Sequence, residues 1–89
     1  MDKKIKNRAV RRLKVIEGQI RGLEKMVAEE KYCIDVLNQS LAAREALSSF
    51  ESLILENHLK TCVGEQFKAG QKAKAVREVL SVYKLSRQK

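Results

Sequence analysis

The chain has 89 residues, no proline, two cysteines and one histidine, and its 19 basic side chains outnumber 11 acidic ones for a formal net charge of +8. One small domain fits this length, and such a domain hides only about 60% of its unfolded surface, so association with further copies is an expected source of burial. The start, Met1 to Arg8, is charged and lacks the apolar core of a signal peptide, and no apolar run approaches the ~18 residues of a membrane span. The expected setting is therefore cytoplasmic, with no membrane partner. Reduced thiols there favour a metal-binding or redox role over a structural disulfide.

With Gly18, Gly22, Gly64 and Gly70 as the sole breakers and a composition rich in Leu, Ala, Glu, Lys and Arg, the chain predicts an all-α domain of three helices. The first is expected from about Ile5 to Glu29, where Leu13, Ile16, Ile20, Leu23 and Val27 recur at spacings of three and four as one apolar stripe. Gly18 and Gly22 each cost that helix about 1 kcal/mol against alanine, a cost explained by close approach of another backbone or by simple tolerance. Glu29, Glu30, Lys31 and Tyr32 are polar and make the turn.

The second helix is expected from about Cys33 to Val63. Its apolar residues Ile34, Leu37, Leu41, Ala46, Leu47, Phe50, Leu53, Ile54 and Leu59 wrap beyond one stripe, which calls for more than one neighbour. Gly64 reads as its stop. After Gly70, Val76, Val79, Leu80 and Tyr83 mark a shorter third helix, and Ser86 to Lys89 reads as a frayed tail.

Charge divides the chain in three: residues 1–31 carry +5, residues 32–62 carry −2 and residues 63–89 carry +5. The basic outer thirds point to an anionic partner, most simply a nucleic-acid backbone; the alternative is that the lysines only solvate helix faces. Base stacking on a single strand is disfavoured because Tyr32, Phe50, Phe67 and Tyr83 are the only aromatics, so duplex DNA read through phosphate and shape is the preferred mode.

All the cysteine and histidine of the chain, Cys33, His58 and Cys62, falls on the expected second helix. His58 and Cys62 are four apart and on a helix share a face one turn from each other, which makes half a soft-metal site. Cys33 lies roughly 37 Å away along the same rod at a rise of ~1.5 Å per residue. One helix cannot close the site, so Cys33 as a ligand must meet His58 and Cys62 of another copy, and an antiparallel pair of such helices offers two sites. Two thiolates and an imidazole suit Cu(I) in a trigonal site and accept Zn(II) if a fourth ligand is supplied. Hydrolytic catalysis fits poorly, since a bundle of long helices offers little room for a substrate cleft. Two bland alternatives stand beside this: a metal buffer with no DNA role, and a helical oligomerisation module in which the trio is only packing.

Three blocks, Arg12-Leu-Lys-Val-Ile-Glu-Gly-Gln-Ile-Arg-Gly-Leu, Lys31-Tyr-Cys-Ile-Asp-Val-Leu and Glu56-Asn-His-Leu-Lys-Thr-Cys, give nearly the whole chain a resemblance to the CsoR/RcnR family of metal-sensing bacterial transcriptional repressors. The resemblance implies a three-helix protomer with a long central helix, an antiparallel dimer, a tetramer built from two dimers, and binding of double-stranded operator DNA without a helix-turn-helix until the effector arrives. Cys33 of one protomer with His58 and Cys62 of its partner matches the copper-sensing pattern. The nickel and cobalt branch uses further histidines, the formaldehyde branch an N-terminal proline, and the persulfide branch lacks the histidine between its cysteines. His58 therefore favours Cu(I), and a persulfide- or redox-sensing repressor is the alternative. For DNA the resemblance points to Arg12 and Arg44, to which we add Lys14 and Arg21. Arg44 is the one arginine of the middle third, where a charge needs a reason; Glu45 or Glu51 is the structural candidate. Tyr32 and Glu78 match positions that hydrogen-bond around the metal ligands.

Overall fold

The computed structural model describes residues 1–86, and they are helical almost throughout: α1 (Lys3–Ala28), α2 (Cys33–Lys60), α3 (Cys62–Lys68) and α4 (Lys72–Ser86). The three expected helices are α1, α2 and α4, and the all-α class holds. The short α3 was not anticipated. Ser86 closes α4 instead of opening a frayed tail, and the remainder of that expected tail lies outside the described residues.

The chain divides into two compact units, Met1–Leu55 and the residues from Glu56 onward. In the first, Asp2 caps α1 by accepting the Lys4 amide at 2.9 Å, which satisfies one of the amides a helix start leaves unpaired. The other end of α1 closes with two bonds, Glu30 N–H to Val27 C=O (3.1 Å) and Lys31 N–H to Met26 C=O (2.9 Å). This is a Schellman motif, and it puts Glu30 at φ 53°, in the left-handed region that normally favours glycine. The Tyr32 carbonyl then accepts the amides of Asp35 and Val36 at 3.0 and 3.2 Å, starting α2 directly after the turn.

Arg12 and Ser49, 37 residues apart, meet through hydrogen bonds of 2.7 and 2.9 Å. Their midpoint falls at Glu30 and Lys31, so the contact is that of an antiparallel hairpin folded at the Glu29–Tyr32 turn. The covered side of α1 is Ile5, Ala9, Arg12, Ile16, Gln19, Leu23 and Met26, and that of α2 is Val36, Gln39, Ala43, Ala46, Phe50 and Leu53. Both sets alternate spacings of three and four, the pattern of two helices packed along a seam.

This corrects the stripe expected on α1. Of its members Ile16 is buried and Leu23 half-buried, but Leu13, Ile20 and Val27 are exposed. The covered side is turned toward Ala9, whose small side chain admits close packing, and toward Arg12, whose guanidinium finds Ser49. Among the described residues outside its own stretch of helix backbone, a Cβ on Gly22 would meet nothing within 4 Å, and one on Gly18 no more than the tip of Arg21 at 4.0 Å. Close approach by this chain's own backbone therefore does not account for either glycine.

In the second unit the last turn of α2 ends at Lys60, where Glu56 and Lys60 pair at 2.8 Å. Thr61 interrupts the helix with φ −116° and ψ −70°, and α3 begins at Cys62. Gly64, expected to stop the second helix, instead lies inside α3; the break comes three residues earlier. A second Schellman motif ends α3, with Gly70 N–H to Phe67 C=O (3.1 Å), Gln71 N–H to Gln66 C=O (2.7 Å) and Gly70 at φ 76°. α4 packs on α3 through the fully buried Ala75 and the half-buried Val79, while Val76, Leu80 and Tyr83 of the expected apolar set are exposed. Lys72 Nζ lies 5.9 Å from the centre of the Phe67 ring, a cation–π contact across the α3–α4 turn.

Candidate metal centre and nucleic-acid face

Cys33 is the first residue of α2, placed there because the Tyr32 carbonyl opens the helix. His58 lies in the last turn of α2 and is half-buried; Cys62 is the first residue of α3. Both cysteines are free thiols and exposed. His58 and Cys62 thus flank the break at Thr61 and do not share one continuous helix, a correction to the sequence reading. Among the described residues no three Cys, His, Asp or Glu side chains come together as a metal cluster within the chain. The donor set itself is two sulfurs and one nitrogen with no oxygen, a soft set that fits Cu(I).

The two expected outer partners sit differently. Tyr32 is 71% exposed. Glu78 on α4 accepts a hydrogen bond from Gln66 Nε2 of α3 at 3.0 Å, and Gln66 Oε1 is buried with no partner. A carboxylate has two oxygens and about four acceptor positions, so this bond leaves Glu78 able to accept another donor. Gln66 escaped the sequence reading because a glutamine in a helix carries no signal of its own.

Arg12 has an unexpected occupation: Nη1 donates to both the carbonyl and Oγ of Ser49. One nitrogen is committed to the hairpin, and the other N–H donors of the planar guanidinium are free of that bond. Arg44 is exposed, and among the described residues it makes no ion pair, so neither Glu45 nor Glu51 neutralises it. Lys14 and Arg21 are exposed on the side of α1 away from the seam, at helical spacing with Asn7, Arg11, Gly18 and Lys25. Lys6, Asn7, Val10, Arg11 and Lys14 line a shallow groove there. The +5 of residues 1–31 is concentrated at their start: Lys3, Lys4, Lys6, Arg8, Arg11, Arg12 and Lys14 follow one another with no acidic residue between them. A charge count in a window of one helix would have found it.

The chain as a whole is similar to known proteins. The copper-sensing transcriptional repressor CsoR of Bacillus subtilis is 40% identical over 81 residues, covering 91% of this chain and 80% of that one. The copper-sensing transcriptional repressor RicR of Mycobacterium tuberculosis is 47% identical over 58 residues, 65% of this chain and 60% of that one. The crystal structure of the copper-sensing repressor CsoR with Cu(I) from Geobacillus thermodenitrificans superposes with a TM-score of 0.91 at 36% identity, covering 99% of this chain and 92% of that one. The family described as metal-sensitive transcriptional repressor matches residues 5–84. With the three sequence blocks, the helical fold and that match in agreement over nearly its whole length, the chain belongs to the metal-sensitive transcriptional repressor family.

Proposed function

We propose that this chain is a copper(I)-responsive transcriptional repressor that binds double-stranded operator DNA in its metal-free form and leaves it when Cu(I) is bound. The observation that carries this reading is the donor set of two free thiols and one imidazole in a chain 36% identical in sequence, and alike in fold, to a repressor crystallised with Cu(I). Cys33 of one protomer with His58 and Cys62 of the partner subunit would hold the ion, in a dimer of antiparallel hairpins that pairs again to a tetramer. The sulfurs supply soft donors and His58 a borderline one, which suits a three-coordinate d¹⁰ ion and leaves Zn(II) short of its fourth ligand.

Arg12 and Arg44, with Lys14 and Arg21, supply the phosphate contacts. His58, held through one ring nitrogen, donates its other N–H to Glu78 or Tyr32, and this fixes the ring as ligand-bound imidazoles require. A bond to Glu78 links the metal ligand to α4, one to Tyr32 links it to the turn before α2, and either favours an assembly that fits DNA poorly. The coupling is a difference in copper affinity between free and DNA-bound protein, commonly ~1–3 kcal/mol per linkage.

Titrating Cu(I) into the protein bound to its own upstream DNA tests the reading: release at one ion per Cys/His/Cys set supports it, and retention at saturation overturns it. The shared site has its own test. Cys33→Ala and His58→Ala/Cys62→Ala proteins each bind Cu(I) weakly, and mixing them restores one tight site in each mixed dimer. Failure to recover after confirmed subunit exchange rules out ligands from two chains. Release of DNA by a persulfide donor with Cu(I) inactive selects the sulfur-sensing alternative instead.

A further inference from the structure

Thr61 stands between two proposed ligands, and its hydroxyl is engaged on both sides. The O–H donates to the Asn57 carbonyl at 2.8 Å, the same carbonyl that accepts the Thr61 amide at 3.0 Å. The hydroxyl oxygen also lies 3.6 Å from Cys62 Sγ, and it makes no capping bond to α3. A hydroxyl bonded back to the carbonyl four residues earlier competes for that acceptor and bends helices. Here the helix is interrupted at the residue that makes this bond.

The interruption matters because it falls between His58 and Cys62. On a continuous helix residues four apart have Cβ atoms about 5–6 Å apart and lean the same way. The helical bonds Thr61 N–H to Asn57 C=O (3.0 Å) and Glu65 N–H to Thr61 C=O (3.2 Å) still span the interruption, so the Thr61 angles of φ −116° and ψ −70° shift Cys62 from the place an ideal helix would give it. We infer that Thr61 is a positioning residue of the metal centre: its hydroxyl maintains the break after α2 and through it places Cys62 relative to His58. The inference rests on the reading of His58 and Cys62 as copper ligands.

Thr61→Val keeps the branched shape and removes the hydroxyl; Thr61→Ser keeps the hydroxyl. In the metal-free protein, backbone chemical shifts of residues 60–65 report the break. Competition against a Cu(I) chelator reports affinity, and X-ray absorption reports the sulfur and nitrogen ligands. The expected result for Thr61→Val is helical shifts running through position 61, with Cu(I) affinity lower by roughly ten- to a hundred-fold, the range for outer-sphere partners of metal ligands. Thr61→Ser keeps both the break and wild-type affinity. If Thr61→Val retains the break, or closes it with no loss of affinity, the inference is overturned while the copper reading stands. If wild-type protein binds Cu(I) no more tightly than Cys62→Ala protein, the copper reading falls and takes this inference with it.

Discussion

α2 has two apolar sides, and they differ in a way that runs against simple hydrophobic ranking. The side against α1 contains Ala43, Ala46 and Gln39 as well as Phe50 and Leu53, and its partner side on α1 contains Arg12 and Gln19. The side away from α1 carries Ile34, Leu37 and Leu41, and all three are at least half exposed. The smaller, more polar surface is covered and the larger aliphatic one is left open. Small residues let two helices of one hairpin approach closely, and Arg12 with Ser49 fixes their register. Large aliphatic side chains left in solvent cost free energy and mark a surface that pairs with something else. In this family of repressors we take that surface to be where further copies assemble.

The comparison breaks most readily at the open side. Leu37→Lys/Leu41→Lys is expected to leave the hairpin helical but to abolish assembly, since burying unpaired ammonium groups costs several kcal/mol each. Sedimentation velocity alongside circular dichroism reads this directly, and an unchanged oligomer shows that the open side is not the interface.

The covered side is tested within that dissociated background. Leu53, 5% exposed, truncated to alanine loses about 2–5 kcal/mol of stability in urea unfolding. Leu37→Lys/Leu41→Ala protein, measured as a monomer, stays within about 0.5 kcal/mol of Leu37→Lys/Leu41→Lys. Equal losses at the two positions remove the distinction between the sides.

A third pair separates the two occupations of Arg12. Ser49→Ala deletes the acceptor hydroxyl and costs about 0.5–1.5 kcal/mol of stability, with no change in the salt dependence of DNA binding. Arg12→Ala costs a similar amount and also lowers the log–log salt slope by about one. A wild-type slope in Arg12→Ala protein assigns that arginine to the hairpin alone.

The smallest expected effects come from the two Schellman turns, which place Glu30 in one and Gly70 in the other at the left-handed position. Glu30→Gly relieves a left-handed non-glycine position and raises stability by less than ~1 kcal/mol, because glycine also gains freedom in the unfolded chain. Gly70→Ala imposes the same strain and lowers stability by about 1 kcal/mol. Thermal midpoints of the two variants move in opposite directions if the motifs are equivalent.

Much of this was legible in the residues. The turn at Glu29–Tyr32, the start of the last helix after Gly70 and the spans of α1, α2 and α4 follow from polarity, glycine placement and periodicity to within a few residues. The stop at Gly64 was misread because glycine is tolerated in a helix when a stronger local event lies nearby, here the Thr61 hydroxyl bonded back to Asn57. The covered side of α1 shares Ile16 and Leu23 with the expected stripe but is turned toward Ala9, Arg12 and Gln19, because periodicity ranks side chains by hydrophobicity and does not register the Arg12–Ser49 bonds. For the candidate site, the residues proposed as donors and the cations are visible in the sequence, while Gln66 on Glu78 and Ser49 on Arg12 are not.

The sequence by itself determined the helices, the soft donor set and the concentration of positive charge in α1. Those properties arise from residues within about one turn of each other, or from composition, and need no knowledge of what lies across the fold. Only the tertiary structure decided which apolar side of each helix is covered, what holds Arg12 and Glu78, and that His58 and Cys62 stand on either side of a break. Those outcomes depend on groups distant in the chain, or on one side chain choosing among several nearby acceptors, and local pattern does not rank such choices.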